Sequence, residues 1–258
     1  MFYFSKSKYC NFWQCPKMAW LYKYKPEEKT EDPNLEAVFA TGNEVGDLAM
    51  GLFGDFVEVT TYTDEKLDIA AMIEKTKEEM EKGTEIICEA SFSYKGLYCA
   101  VDILKKSVDG YEIYEVKSST GSKSDYDIKA VYVADIAYQK YVLEQCGVKV
   151  TSTNLVCINR DYVRGDELDI HELFLIRNVD KLVDVEISKV ESNLNLAEKI
   201  LNCKDEPEYS ITERCKKPYD CQFWAYCTRD IPKESVFDLY RVPLDRKLEL
   251  YNEGLIRI

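Results

Sequence analysis

The chain has a single histidine, His171, no apolar run of membrane-spanning length, and fewer basic than acidic residues, 34 against 47 in a length of 258. Each shortage excludes something. The opening Met-Phe-Tyr-Phe-Ser-Lys-Ser-Lys lacks the apolar centre of a secretory signal, and no segment is long enough to span a bilayer. A cytoplasmic protein without a membrane partner is therefore expected, and its ten cysteines are not a disulfide framework. The lone histidine is read as a surface or structural residue. No internal repeat and no low-complexity linker divides the chain, so one large α/β domain, or a core with a small appendage, is expected. The formal charge of −13 weighs against a nucleic-acid binder, which usually carries a basic footprint.

Charge is unevenly distributed. Glu74, Glu78, Glu79 and Glu81 crowd one predicted helix, and the segment Asp180–Glu191 is also acidic. Lys6, Lys8, Lys17, Lys23 and Lys25 lie near the N-terminus, and Arg214, Lys216, Lys217 and Arg229 in a cysteine-rich stretch. If the cysteines bring these two basic segments together, they form a rim able to track phosphates. Binding should still be weaker than for a basic protein and more dependent on metal and low salt.

What is present is most informative between residues 97 and 118. Leu97–Leu104 and Tyr111–Ser118 are rich in β-branched and aromatic residues, and Asp109-Gly110 between them signals a hairpin. Alternation puts Ile113, Glu115 and Lys117 on one face and Tyr114 and Val116 on the other. With Asp102 on the same side as Glu115, two carboxylates and an ammonium converge. Carboxylates are the hard ligands that Mg²⁺ takes, and a lysine beside them orients or deprotonates water and offsets charge on a phosphorane. The pattern reads as metal-dependent phosphodiester cleavage; a cross-strand Glu/Lys pair on an exposed strand face is the plainer alternative.

Four cysteines have suggestive neighbours. Cys215, Cys221 and Cys227 are evenly spaced in Cys-Lys-Lys-Pro-Tyr-Asp-Cys-Gln-Phe-Trp-Ala-Tyr-Cys, and Cys15 precedes a proline far upstream. Thiolates select zinc or iron–sulfur clusters, and four can close either. Five intervening residues suit a loop around a larger object better than a zinc knuckle, and Phe223, Trp224 and Tyr226 supply an apolar shell. Cys88, Cys99, Cys146 and Cys157 read as small buried hydrophobes. Cys10 is an alternative ligand to Cys15, and Cys203 is ambiguous.

These residues together resemble the iron–sulfur branch of the RecB-like PD-(D/E)XK nucleases, which includes CRISPR-adaptation exonucleases and the AddB helicase–nuclease subunit. The resemblance covers roughly residues 5–230, through Ser-Lys-Ser-Lys-Tyr…Gln-Cys15-Pro, Gly-Asn-Glu-Val-Gly-Asp-Leu-Ala (42–49), Val-Asp-Ile-Leu, Glu-Val-Lys-Ser-Ser-Thr, Asp-Ile-Ala-Tyr-Gln-Lys-Tyr and Pro-Tyr-Asp-Cys-Gln-Phe-Trp. With the last five it is closest to an uncharacterised bacterial family of that group. The resemblance implies a restriction-endonuclease-like core, a mixed sheet flanked by helices, with the terminal segments joined by a 4Fe-4S cluster on Cys15, Cys215, Cys221 and Cys227. It implies an Mg²⁺- or Mn²⁺-dependent DNA exonuclease or flap nuclease acting on single strands or free ends, with a helicase or further nuclease domain as a possible partner. Asp102, Glu115 and the Val116 carbonyl would hold the metal, and Lys117 would be the catalytic lysine. Gln139 and Tyr141 match a helical Gln…Tyr motif, although Leu143 stands at the family's tyrosine position; Tyr138 is an alternative, and Asp135 shares the face of Gln139. Where relatives carry a metal-binding histidine this chain has Gly46, and Glu44 is the nearest replacement ligand.

Periodicity predicts a helix from Asp64 to Gly83, strands Glu85–Phe92, Leu97–Leu104 and Tyr111–Ser118, and a loop over Ser118–Asp125. A helix over Asp127–Gln145, strands at Asn154–Asn159 and Glu172–Arg177, and one long helix over Val179–Asn202 follow. Residues 1–232 are expected to form the nuclease domain, with its core at about 36–178. Residues 233–258 are expected to be an extension, either a strand docked on the core or the start of a further domain. Two rivals stand beside the nuclease: a non-catalytic iron–sulfur module for DNA sensing or assembly on a degenerate nuclease fold, and a structural zinc protein.

Overall fold

A computed structural model describes residues 3–31, 35–122 and 128–258. The chain runs β1 (Phe4–Ser5), α1 (Lys6–Gln14), α2 (Pro16–Tyr24), α3 (Leu35–Met50), β2 (Val57–Glu58), β3 (Tyr62–Thr63), β4 (Lys66–Leu67) and α4 (Ile69–Lys82). It continues with β5 (Ile86–Tyr94), β6 (Leu97–Lys106), β7 (Tyr111–Gly121), α5 (Ala130–Gln145), β8 (Val150–Asn159), α6 (Ile170–Leu173) and β9 (Phe174–Asn178). Helices α7 (Asp180–Ile187), α8 (Val190–Asn202), α9 (Trp224–Cys227) and α10 (Leu244–Asn252) close it. Two compact units emerge, Met1–Tyr9 with Asn34–Asn193, and Cys10–Pro33 with Leu194–Ile258. No helix among the described residues is long and apolar enough to cross a membrane.

The first unit is a mixed α/β layer. Its sheet has the order β2-β5-β6-β7-β8-β9, with β1 added parallel to β6 at Leu97 and Tyr98. Strands β5, β6 and β7 are antiparallel neighbours, β8 joins β7 in parallel, and β9 returns antiparallel. One face is packed by α3: Val45, Ala49 and Met50 meet Cys88, Ile103, Tyr114 and Val156. The other face presents Ile87, Leu104 and Ile113, mutually opposite in register and fully buried. The βββαβ order of the core strands matches the sequence pattern.

Local departures have local causes. Helix α4 starts at Ile69, because the Asp68 carboxylate accepts from the Ala71 N–H at 3.0 Å and so caps it. Leu67, expected on the helix, is instead an exposed residue of a short hairpin whose turn sets Asp64 and Glu65 at positive φ. The predicted helix over 179–202 is two, α7 and α8, and at the break the Ser188 hydroxyl donates to the Val185 carbonyl at 2.8 Å, competing with the helical ladder. His171 lies exposed in the single turn α6, not in a strand, because Asp169 caps that turn at the backbone N–H groups of His171 and Glu172. Strand β7 continues to Gly121 through an irregularity after Lys117, into what was expected to be loop. The remainder of that loop, 123–125, and the expected helix start at Asp127 lie outside the described residues.

In the second unit the C-terminal residues pack with the cysteine segment. The Trp224 and Phe237 rings meet edge-on at 5.4 Å, and Phe237 meets Tyr251 at 5.2 Å. Ser235 bridges Arg257 antiparallel, and the Val236 N–H donates to the Ile256 carbonyl at 2.9 Å.

Gly110 in the β6–β7 turn is required by a close approach. A Cβ there would stand 2.3 Å from the Lys149 carbonyl oxygen, which accepts the Tyr111 N–H at 2.9 Å. That carbonyl is backbone at the entrance to β8 and cannot swing away. Gly110→Ala is expected to cost about 1–3 kcal/mol, the range for overpacking a tight contact, read as a lowered urea midpoint with an unchanged m-value.

Candidate active site

The site grows out of strand register. In β5 and β6 the pairs Cys88↔Ile103 and Ala90↔Val101 flank Glu89 and Asp102, which therefore stand opposite one another. In β6 and β7 the ladder ends at Ile103↔Tyr114, so the next position brings Asp102 opposite Glu115. Two residues along from the apolar row Ile87, Leu104, Ile113, the same face thus carries an acidic row, Glu89, Asp102, Glu115. Lys117 follows on that face. At the point where the ladder stops, Asp102 Oδ2 accepts the Val116 N–H at 2.7 Å and takes the place of a strand partner.

Two lysines and helix α5 close over this row. Lys6, the first residue of α1, places Nζ 3.3 Å from Asp102 Oδ1 and 3.2 and 3.1 Å from the two Glu115 oxygens. Lys117 Nζ lies 2.5 Å from Glu115 Oε1 and 2.8 Å from Asp135 Oδ2, and 5.4 Å from the Tyr132 ring centre. From α5, Gln139 Nε2 donates to Glu115 Oε2 at 2.6 Å and to Asp135 Oδ1 at 3.0 Å. Asp135 and Gln139 are one turn apart, which aims both at the sheet. Gln139 is fully buried, and its Oε1 has no hydrogen-bond partner among the described residues.

Four carboxylates thus surround two ammonium groups, and the imbalance appears in their proton affinities. Burial, then the charges of Asp102 and Asp135, push Glu115 up to about 7, against the pull of Lys117 and Lys6. Glu89 is likewise raised to about 7 by burial and by Asp102. Asp135 is also penalised by burial, yet Lys117 and Lys6 hold it well below the usual carboxylate range. Burial opposes the charge on Lys6 and Lys117, but the surrounding carboxylates outweigh it and hold both as ammonium ions. Glu89 has φ of 57°, a left-handed conformation that a glutamate rarely adopts, in the middle of a strand.

The structure brings together Asp102, Glu115, Lys117, Gln139 and the Val116 backbone. It does not bring Glu44 or Tyr141 to them. Glu44 is exposed on α3, which packs the opposite face of the sheet. Tyr141 is two residues past Gln139, about 200° around the helix, in surroundings set by Glu191, Tyr94 and Lys95. Tyr138 donates to the Phe4 carbonyl at 2.5 Å and stacks on Tyr9 at 4.8 Å, anchoring β1 instead of entering the site. Leu143 is buried. Sequence reasoning missed Glu89 and Lys6 as site residues. A glutamate in the apolar run Ile-Ile-Cys-Glu-Ala-Ser-Phe was the available signal for the first. Lys6 lies in the Ser-Lys-Ser-Lys-Tyr stretch of the resemblance, which assigned it no role at the site.

In the second unit Cys15 caps α2 ahead of Pro16, and the Cys221 N–H donates to the Cys215 carbonyl at 2.9 Å. Gln14 Nε2 donates to the carbonyls of Arg214 and Tyr219 at 2.8 and 2.9 Å, and Arg214 donates to the Trp13 carbonyl at 2.8 Å. The four thiols share one neighbourhood. Burial, then the charges of Cys15, Cys215 and Cys227, raise the Cys221 thiol to about 12, and Cys15 and Cys227 are raised by burial and by their sulfur neighbours. Among the described residues, no group of three or more His, Cys, Asp or Glu side chains is arranged to hold a metal ion. The basic residues expected to form a rim are largely paired: Lys17 and Lys25 with Glu206 at 2.7 and 2.9 Å, Lys216 with Asp220 and Lys217 with Glu213. Lys25 also hydrogen-bonds Tyr226, and Arg229 covers the Tyr226 ring.

No family model matches the chain, and no curated protein matches it significantly. Among solved structures it is similar to SSO0001, at a TM-score of 0.41 and 13% identity, covering 88% of this chain and 86% of the other. It is also similar to an alkaline exonuclease, LHK-Exo, from Laribacter hongkongensis, at a TM-score of 0.40 and 12% identity over 77% of this chain and 89% of that one. The same exonuclease in complex with dAMP gives 0.39 and 14%, with the same coverage. Likeness at this level transfers neither a fold family nor an activity.

The raised carboxyls set a pH dependence. In the unfolded chain a glutamate loses its proton near about 4.3, whereas Glu89 and Glu115 do so at about 7 in the fold. Between those values the native state binds more protons, so stability must fall as pH rises, by at most about 1.4 kcal/mol per pH unit for each proton retained. Asp135, depressed, contributes in the opposite sense, with stability that is lost only at more acid pH. Calorimetry in EDTA is expected to show the melting temperature declining from pH 5 to pH 7, and Glu115→Gln should flatten that decline.

Proposed function

We propose that the chain is a metal-dependent nuclease that hydrolyses phosphodiester bonds in DNA, of the exonuclease or flap type. The observation that carries this reading is the acidic row Glu89, Asp102, Glu115, buried at Glu115 and half-buried at the other two, with Lys117 next to it on the same sheet face. The donor chemistry suits a hard divalent cation: several carboxylate oxygens, too few ammonium groups to neutralise them, and an unused buried oxygen on Gln139. Asp102, Glu115 and the Val116 carbonyl would hold Mg²⁺ or Mn²⁺, with Glu89 as an additional carboxylate. When bound, the cation supplies Lewis-acid polarisation of the phosphate and a nucleophilic water at neutral pH.

The protein's own groups have distinct tasks. Lys117 is an ammonium pinned between Glu115 and Asp135, which suits it to stabilise developing charge on a phosphate oxygen and to orient water. Gln139 fixes the Glu115 carboxylate through its amide, and Asp135 fixes Lys117, so both act as positioning residues. Asp102 joins the two strands at the site by holding the Val116 N–H.

The second unit is read as a 4Fe-4S site on Cys15, Cys215, Cys221 and Cys227, with zinc as the alternative occupant. What supports it is the mutual electrostatic influence of four half-buried or buried thiols, whose thiolates need a soft cation to offset their burial. A helicase or a further nuclease domain is the expected partner class. One observation favours a non-catalytic module: Lys6 pairs with both Asp102 and Glu115, the carboxylates assigned to the metal.

Two experiments test these readings. With Mn²⁺ and single- or double-stranded DNA the wild type should cleave, and Asp102→Asn, Glu115→Gln and Lys117→Ala should each lose at least about a hundredfold in rate, the scale of a positioned catalytic group. Absence of cleavage by the wild type would leave the non-catalytic module. Anaerobically purified protein should absorb in the visible range, and Cys15→Ser should abolish that absorbance, whereas Cys88→Ser should retain it. A colourless protein with stoichiometric zinc would move the site to zinc.

A further inference from the structure

The Lys6 side chain does something that the nuclease reading does not call for. Its ammonium lies within hydrogen-bond distance of three oxygens of the two carboxylates assigned to the metal, one on Asp102 and both on Glu115. Among the described residues it makes no other side-chain hydrogen bond or ion pair. Lys117 differs, because Asp135 ties it to α5 independently of Asp102. The contacts differ in tightness as well. Lys6 stands at 3.1–3.3 Å, longer than the 2.7–2.9 Å or so of a charge-assisted bond, whereas Lys117 approaches Glu115 to 2.5 Å.

The backbone beneath Lys6 is firmly placed. The Phe4 N–H donates to the Gly96 carbonyl at 2.9 Å, Tyr138 donates to the Phe4 carbonyl, and β1 lies in register with Leu97 and Tyr98. Tyr9, one turn further, is buried against Tyr138. The side chain is thus a flexible arm on a fixed pivot, and it retains some exposure, 22%. A charge on such an arm can leave the carboxylates without disturbing the fold.

We propose that Lys6 is a tethered cation that occupies the divalent-cation site and must leave before a metal ion binds there. This rests on the nuclease reading of Asp102 and Glu115 and deepens it. Ammonium and divalent cation compete for the same oxygens, so the chain sets its own metal affinity. Without a metal ion, Lys6 offsets part of the charge of an acidic row that would otherwise repel itself. When the cation enters, Lys6 exchanges carboxylate for solvent or for a phosphate oxygen.

Mn²⁺ titration by calorimetry tests this, with Lys6→Met keeping the length of the arm and removing its charge. The variant is expected to bind Mn²⁺ at least about tenfold more tightly than the wild type, while Asp102→Asn binds it more weakly. Equal or weaker binding by Lys6→Met, with wild-type binding intact, overturns the proposal and leaves the metal site standing. Failure of the wild type to bind Mn²⁺ overturns both. Should Lys6→Met not fold, reductive methylation of the wild type decides: the Lys6 peptide should be modified several-fold faster in Mn²⁺ than in EDTA, with Lys117 unchanged. Equal Lys6 reactivity in the two conditions rejects the exchange.

Discussion

The first unit depends on one constraint, the burial of acidic side chains on a sheet face that two residues away is wholly apolar. Ile87, Leu104 and Ile113 make that face a core surface, and Glu89, Asp102 and Glu115 continue it with charge. A buried carboxylate is costly unless paired and hydrogen-bonded. Much of the surrounding structure supplies those partners. Strand β1 places Lys6, α5 presents Asp135 and Gln139 one turn apart, and the β6–β7 ladder stops so that the Asp102 carboxylate can take the Val116 N–H. The compensation is incomplete, as the raised Glu89 and Glu115 carboxyls attest. A fold selected for stability alone would have little use for a row of acids there, nor for a glutamate held at φ of 57° in mid-strand.

The second unit repeats the theme with softer donors. Its Cys15, Cys221 and Cys227 thiols are raised because burial and neighbouring sulfurs disfavour the thiolate, while Gln14 and Arg214 stitch the two cysteine-bearing segments together through backbone carbonyls. These hydrogen bonds join the segment that carries Cys15 to the one that carries Cys215.

The core strands, helix α5 and the Asp102, Glu115, Lys117 set were legible because they rest on period-2 alternation and on a hairpin turn, both local in sequence. Glu89 rests on the same alternation carried one strand further through the Tyr94–Leu97 turn, and reflecting Asp102 across that turn lands on it. Lys6 is different in kind. It reaches the site through a two-residue parallel strand pairing about a hundred residues away, and no periodicity encodes such a pairing. Glu44 and Tyr141 were assigned by motif position, and rotation about a helix axis defeats such assignments: Tyr141 faces away from Gln139, and α3 presents Val45 and Ala49 to the sheet while Glu44 faces out. The break between α7 and α8 depends on one serine hydroxyl bonding back to Val185, an option open to any serine in a helix.

The acidic balance of the chain bears on how a polyanion is drawn to the site. In the second unit Lys17, Lys25, Lys216 and Lys217 spend their charge on Glu206, Asp220 and Glu213, and in the first unit Lys6 and Lys117 spend theirs on the acidic row. Few of these cations are left for long-range attraction of phosphates, the term that usually dominates nucleic-acid affinity. On the nuclease reading proposed above, attraction would arise at the site itself, where a divalent cation would offset the charge of a cluster that is otherwise negative and free an ammonium already positioned beside it. In such a design metal and phosphate diester favour one another's binding, because each removes a charge conflict that the other faces alone. On that reading, affinity for nucleic acid would be a consequence of loading the acidic row, rather than a property of the protein surface.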